Sequence, residues 1–368
     1  MKKIFLILSL FASLSLQAQF VTTFAKNIPE TQEDGVVYYL PRNVIKLEFT
    51  IEETNYFIGP YAEFASSMLG ISNFIRENKT EYNIKDVDIQ IANEKDPNVV
   101  YYISLDEKSK EPLPDIILDD DGVILAVGYE NIPADLKISR NTFNYNELND
   151  YAVENVSFYD ILDNEIENDD DDDDEEGIAS KKITKEDRAK AVVGKIVKIR
   201  KAHFDLVSGY QEIAYGDVKY MAEAMKALED EYICLFKGKV SKKTYKKTVY
   251  VTPEKNQMNT TVAVARISST EGFVESNGKG DLIKIQYDSN YSLTNVTPIS
   301  DESKNANQIN RLFYRIPVET NVKVLFGTNV LTEKLLEISQ FGDIRTISSK
   351  NNKILFNPNT GQVISITK

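Results

Sequence analysis

Histidine is the side chain most often recruited for proton transfer near neutral pH, and this chain of 368 residues holds one, His203, between Ala202 and Phe204. A serine or cysteine triad would have to use it, and one imidazole cannot build a multi-histidine zinc site. No G-x-S-x-G elbow is present to seat a serine nucleophile, and the absence of a G-x-G-x-x-G turn or Walker loop argues against nucleotide chemistry. Cys234, the sole cysteine, sits in the apolar run YICLFKG and reads as a small core hydrophobe. It also leaves no intramolecular disulfide to form. Two carboxylates can flank a glycosidic bond as general acid and base or nucleophile, and Glu52 with Glu53 or Glu229 with Glu231 are such neighbours. Among 57 acidic residues, pairs of this kind arise by number alone. Accordingly no catalytic, cofactor-binding or metal-ligating residue is assigned, and no cofactor is expected.

The elements that would carry these side chains are mostly strands. GVVYYLP and VIKLEFTIEETNYF, residues 35–57, alternate in polarity, with Pro41 between them and Gly59-Pro60 after them. YAEFASSMLG places Tyr61, Phe64, Ala65 and Met68 at helical spacing before Gly70, which predicts a short helix. DVDIQIA and VVYYISL read as further strands, and DIIL-DDDG-VILAVG as a hairpin turning at Asp121-Gly122. Two longer helices follow. Thr184 with Asp187 three positions on forms a weak relative of the capping box. Beyond it Ala189, Val193, Ile196, Val197, Phe204 and Val207 define an apolar face, and Met221, Met225, Leu228, Tyr232 and Leu235 a second, narrower stripe. From residue 239 onward short alternating strands return. FYRIPVETNVKVLF, 313–326, resembles VYYLPRNVIKLEF, 37–49, a faint internal repeat.

These patterns predict a mainly β (α+β) protein: two antiparallel β-sandwich-like units with a helical hairpin inserted between them. The expected divisions are a signal peptide at 1–18, an N-terminal β domain with one short helix at 19–140, an acidic linker or loop at 141–180, the helical hairpin at 181–238 and a C-terminal β domain at 239–368. Lys2 and Lys3 ahead of an apolar run from Ile4 to Leu16 and the small Ala18 are the marks of secretion, with cleavage expected after Ala18. The mature chain is expected to carry no transmembrane segment and to be periplasmic or extracellular. Loss of the two lysines takes the formal charge from −14 to −16. A field of that sign repels phosphate backbones, so nucleic acid is not an expected partner. The eight consecutive acids at 169–176 supply charge without the turn-making glycine of an ordered calcium loop, so they read as a solvated linker, with calcium-dependent adhesion as the sharper alternative. The lysine-rich run at 239–250 reads as a strand whose cationic face is turned toward that linker.

Taken in order, GVVYYLP, GPYAEFA, MLG, RKAHFDLVSG, ALEDEYICLFKGK, YRIP, QFG and FNPNTGQV are similar to the exported Gram-negative bacterial family known as domain of unknown function 4831. The resemblance runs from Gly35 to the C-terminus. It implies a periplasmic or outer-surface protein with no assigned activity and therefore no family catalytic residues to carry over. The expected function is non-enzymatic binding or cell-envelope interaction, with a protein or glycan of the envelope as partner; the alternative is a carboxylate-dependent glycan hydrolase.

Overall fold

The computed structural model describes residues 20–24, 35–105, 112–145, 183–209, 218–274, 278–289, 308–350 and 352–368. The export segment at 1–18 and the acid run at 169–176 lie outside the described residues. The protein is mainly β, with antiparallel sheets and few helices. Its strands are β1 (Phe20–Phe24), β2 (Val36–Phe57), β3 (Lys79–Leu105), β4 (Ile116–Leu118), β5 (Ile124–Val127), β6 (Lys239–Val251), β7 (Thr261–Ser268), β8 (Gly272–Val274), β9 (Asp281–Ser289), β10 (Gln308–Ile309), β11 (Arg311–Phe326), β12 (Asn329–Ser348), β13 (Lys353–Phe356) and β14 (Val363–Thr367). The helices are α1 (Ala65–Leu69), α2 (Lys185–Ser208) and α3 (Val218–Lys237). Among the described residues no helix is long and apolar enough to cross a membrane.

Three sheets result, ordered β10-β1-β3-β2-β6, β12-β11-β9-β7-β8 and β14-β13-β5-β4. The strands do not divide at the helices as the split into 19–140 and 239–368 has it. β6 and β10 complete the sheet begun by β1–β3, and β13 with β14 completes that of β4 and β5. The physical reason is that a long strand buries its edge only by pairing, and the partners of the N-terminal strands lie late in the chain.

Period-two alternation explains the main core. Along β2 the residues Ile45, Leu47, Phe49 and Ile51 turn inward and are fully buried. They pack with Ile283 and Ile285 of β9 and Val322 and Val324 of β11, so the first two sheets share one apolar cluster. A second cluster joins all three sheets through Tyr38, Tyr101, Phe313, Val127 and Phe356. The expected β4–β5 hairpin is present: Gly122 adopts φ +85°, and the Asp119 carboxylate accepts the N–H groups of Asp121 and Val123, both at 2.9 Å.

Two readings of the sequence require correction. β2 runs unbroken through Pro41, and β3 is one strand across Asp96-Pro97 rather than two. On α2 the buried residues are Ala189, Val192, Ile196 and Leu206, whereas Val197, Phe204 and Val207 are exposed. The apolar face is therefore rotated from the expected one, because the helix packs against α3 and the segment of Tyr61 and Ala65 along its first half. Its start matches expectation in full: the Thr184 hydroxyl accepts from Asp187 N at 3.1 Å and the Asp187 carboxylate accepts from Thr184 N at 3.1 Å.

Candidate functional site

The two longest strand pairs carry the same irregularity. Between β2 and β3 the ladder passes from Tyr39–Val100 to Pro41–Lys95, which leaves out Leu40 on one side and residues 96–99 on the other. Between β11 and β12 it passes from Ile316–Asp343 to Val318–Ile338, which leaves out Pro317 and residues 339–342. Proline lacks the N–H that a regular ladder needs, so each proline-bearing segment tolerates the break and the partner strand bulges out. The faint repeat of YYLP and YRIP thus marks two equivalent bulges.

Each bulge is held by the strand that carries the other proline. Asn43, two residues past Pro41, accepts Ser339 N on its Oδ1 at 2.6 Å and exchanges backbone hydrogen bonds with the Gln340 amide at 3.0 and 2.7 Å. Reciprocally, Arg315, two residues before Pro317, donates from Nη2 to Asp96 Oδ2. That ion pair is almost wholly buried, with 5 % and 9 % of the two side chains exposed. Burial pulls the Arg315 guanidinium down from its ordinary value, and Asp96 opposes the fall. The Asp96 Oδ1 in turn accepts Asn98 N at 3.0 Å and shapes the excursion. Gly342 belongs to the second bulge, where a Cβ would overlap the Ile316 carbonyl oxygen.

Two open cavities flank this crossing and share Arg42 as a wall. The first, about 410 Å³, is bounded by Asn93, Glu94, Lys95, Arg140, Phe143 and Tyr145. The second, about 440 Å³, is bounded by Asp96, Lys255, Arg315 and Gln340 among others. Arg42 itself donates from Nε to Glu94 Oε1 at 2.7 Å. At the first cavity Phe143, Tyr145 and Tyr250 cluster, with ring centroids 4.8 to 6.4 Å apart, and Tyr145 is 54 % exposed. Burial, then the nearby Glu94 carboxylate, raises the titration of the Tyr145 hydroxyl.

Three of the acids around the groove are held by arginines, Glu94 by Arg42, Asp96 by Arg315 and Asp121 by Arg140, while the Glu254 side chain caps the turn at Lys255–Gln257. Lys255 reaches Asp343 at 3.2 Å. The groove is therefore a lattice of fixed charge beside an aromatic surface, suited to orienting a polar ligand.

The chain matches the model described as Domain of unknown function (DUF4831) over residues 34–364. It belongs to the DUF4831 family. No curated protein and no solved structure matches it.

Residues weighed for chemistry in this family member lie elsewhere. His203 is half-buried on α2, and it lines neither of the two cavities beside the bulges. Cys234 is half-buried on α3, where its Sγ lies 2.8 Å from Glu231 O and burial raises the thiol. Glu52 and Glu53 alternate across β2 and pair with different lysines, Lys85 at 3.0 Å and Lys243 at 2.9 Å, so they face opposite sides of the sheet. Glu229 is held by Arg200 at 2.7 Å and Lys226 at 3.3 Å. The lysines of β6 find acids on the neighbouring strand, Lys246 with Glu48 at 2.5 Å and Lys242 with Glu52 at 3.4 Å. Sequence reasoning passed over Arg42, Arg315, Asp96 and Tyr145. The repeated proline motifs were the available signal, but their meaning depends on which strands pair.

Proposed function

We propose that this DUF4831 member is an exported, non-enzymatic binding protein of the cell envelope, periplasmic or extracellular, that engages its partner at the groove around Arg42. The observation that carries this reading is the Phe143–Tyr145–Tyr250 cluster, with both tyrosines exposed, beside a groove in which Glu94, Asp96 and Asp121 are each paired with an arginine. Aromatic surface with a polar rim is what recognition uses, whereas a glycosidase needs one carboxyl kept protonated. Among the described carboxylates with displaced titration, Glu48, Glu52, Glu81, Glu229 and Asp288 all move downward, held ionised by lysine or arginine. The finer architecture belongs to the same proposal. The apolar cluster shared by the first two sheets supports a β-sandwich-like body. The pairing of Arg200 with Glu229 and of Lys195 with the Tyr232 ring supports an antiparallel α2–α3 hairpin.

The test replaces Tyr145 with a photo-crosslinking phenylalanine analogue in the full chain and irradiates intact cells. An adduct with an envelope component at position 145, absent when the analogue sits at exposed Tyr220 on α3, is the expected result. A chain retained in the cytoplasm, or equal labelling at both positions, overturns the proposal. Reducing ends released from envelope polysaccharide by the native chain, and lost in Glu94→Gln, would put the hydrolase in its place.

A further inference from the structure

Resting on that reading, we infer that the cavity beside Tyr145 is a site for a neutral saccharide, its hydroxyls donating to Glu94 and Asp121 and one sugar face lying on the tyrosine ring. The carboxylates decide the class of ligand. Nε and Nη2 of Arg42 both donate to a single oxygen of Glu94, Oε1, and Nη2 of Arg140 donates to Oδ2 of Asp121. Oε2 of Glu94 and Oδ1 of Asp121 are left without a hydrogen-bond partner among the described residues. Both side chains line the cavity and are 35 % and 49 % exposed. Each can accept from a ligand while its arginine fixes its position.

The open oxygens call for donors, and the charge of the walls calls for donors without charge. The three cations of this cavity are already matched, Arg42 by Glu94, Arg140 by Asp121 and Lys95 by the Tyr39 ring, 5.3 Å from its ammonium. An anion therefore finds no unmet cation, and an ammonium ligand meets three cations against two acids. Hydroxyl groups donate and accept with no net charge. The rings narrow the class further. Tyr145 and Tyr250 are 54 % and 37 % exposed, with centroids 4.8 Å apart and planes inclined by 56°, and Phe143 stands at 84° to Tyr145. Rings so inclined form no parallel slot for a flat heterocycle, whereas an exposed ring face receives the weakly positive C–H groups of a pyranose. A volume of about 410 Å³ admits about one or two sugar units.

The experiment titrates the full chain calorimetrically with neutral tetrasaccharides of glucose, galactose, mannose and N-acetylglucosamine, and with tetragalacturonate and a diphenylalanine peptide for comparison. At least one neutral sugar should bind more tightly than both comparison ligands, with an affinity that stays within about twofold from low to physiological salt, because no net charge is exchanged. Tyr145→Ala, and separately Glu94→Gln, which turns the open acceptor into an amide donor, should each weaken that sugar about tenfold. Both positions are partly exposed, so a urea midpoint close to that of the native chain is expected alongside. Tighter binding of tetragalacturonate or of the peptide overturns the inference, as does sugar binding that survives both substitutions. No neutral sugar bound at millimolar concentration, together with a crosslink from position 145 to an envelope protein, overturns the saccharide and leaves the binding reading standing, whereas no crosslink at all removes both.

Discussion

At the scale of single residues, the buried Arg315–Asp96 pair is the contact on which the centre of the molecule depends. Removing one partner leaves an uncompensated charge, which costs about 3–5 kcal/mol, whereas replacing both with apolar residues of similar size costs far less. Asp96→Asn is therefore expected to shift the urea midpoint strongly, and Asp96→Leu combined with Arg315→Met to recover part of the loss. A double substitution as unstable as the single one would contradict this account. Gly342→Ala should be comparably damaging, because the added methyl group meets backbone rather than a side chain that can turn away. The outer carboxylates behave differently. The Lys246 hydrogen bond lowers the titration of Glu48 in the folded chain. Its contribution is thus complete above the ordinary glutamate value of about 4.3 and is lost as pH falls through the lower folded value. Glu48→Gln should flatten the stability curve in that acid window and leave its shape at neutral pH unchanged.

Elements show where local pattern was sufficient and where pairing decided. Thr184→Ala removes a cap whose two reciprocal bonds are in place, and a loss of about 1 kcal/mol in thermal or urea unfolding is expected. β6 forms one edge of its sheet, and its lysines both pair with β2 and discourage a further strand from adding. Replacing Lys242 and Lys246 with valine should raise aggregation measured by light scattering more than it lowers the unfolding midpoint. The cap, the short helix before Gly70, the turn-marked β4–β5 hairpin and the alternating strands were legible because each is written in neighbouring residues. The continuity of β2 through Pro41 was not, since a proline signals a break until its partner is seen to bulge opposite it. Nor was the true face of α2: Phe204 and Val207 satisfy helical periodicity, but packing along the first half of the helix leaves them in solvent. The groove was the least legible feature, because Arg42, Asp96 and Arg315 lie far apart in sequence and meet only through the paired bulges.

For the whole molecule, sheets that draw strands from both ends of the chain imply interdependence. β2 and β3 pair with each other, yet β2 needs β6, and β4–β5 needs β13–β14, to complete its sheet. Residues 19–140 expressed alone should accordingly lack a cooperative unfolding transition, and adding 239–368 in trans should restore one if the fragments assemble. The same interlocking places the groove where the two long bulged pairs cross, so its shape depends on both halves being present. Hydrogen exchange of the full chain, with and without a soluble fraction of native envelope glycans, tests the binding claim most directly. Slowed exchange confined to residues 93–98, 140–145 and 252–255 is the predicted result, and protection centred on α2, α3 or β6, with the groove unchanged, would contradict it.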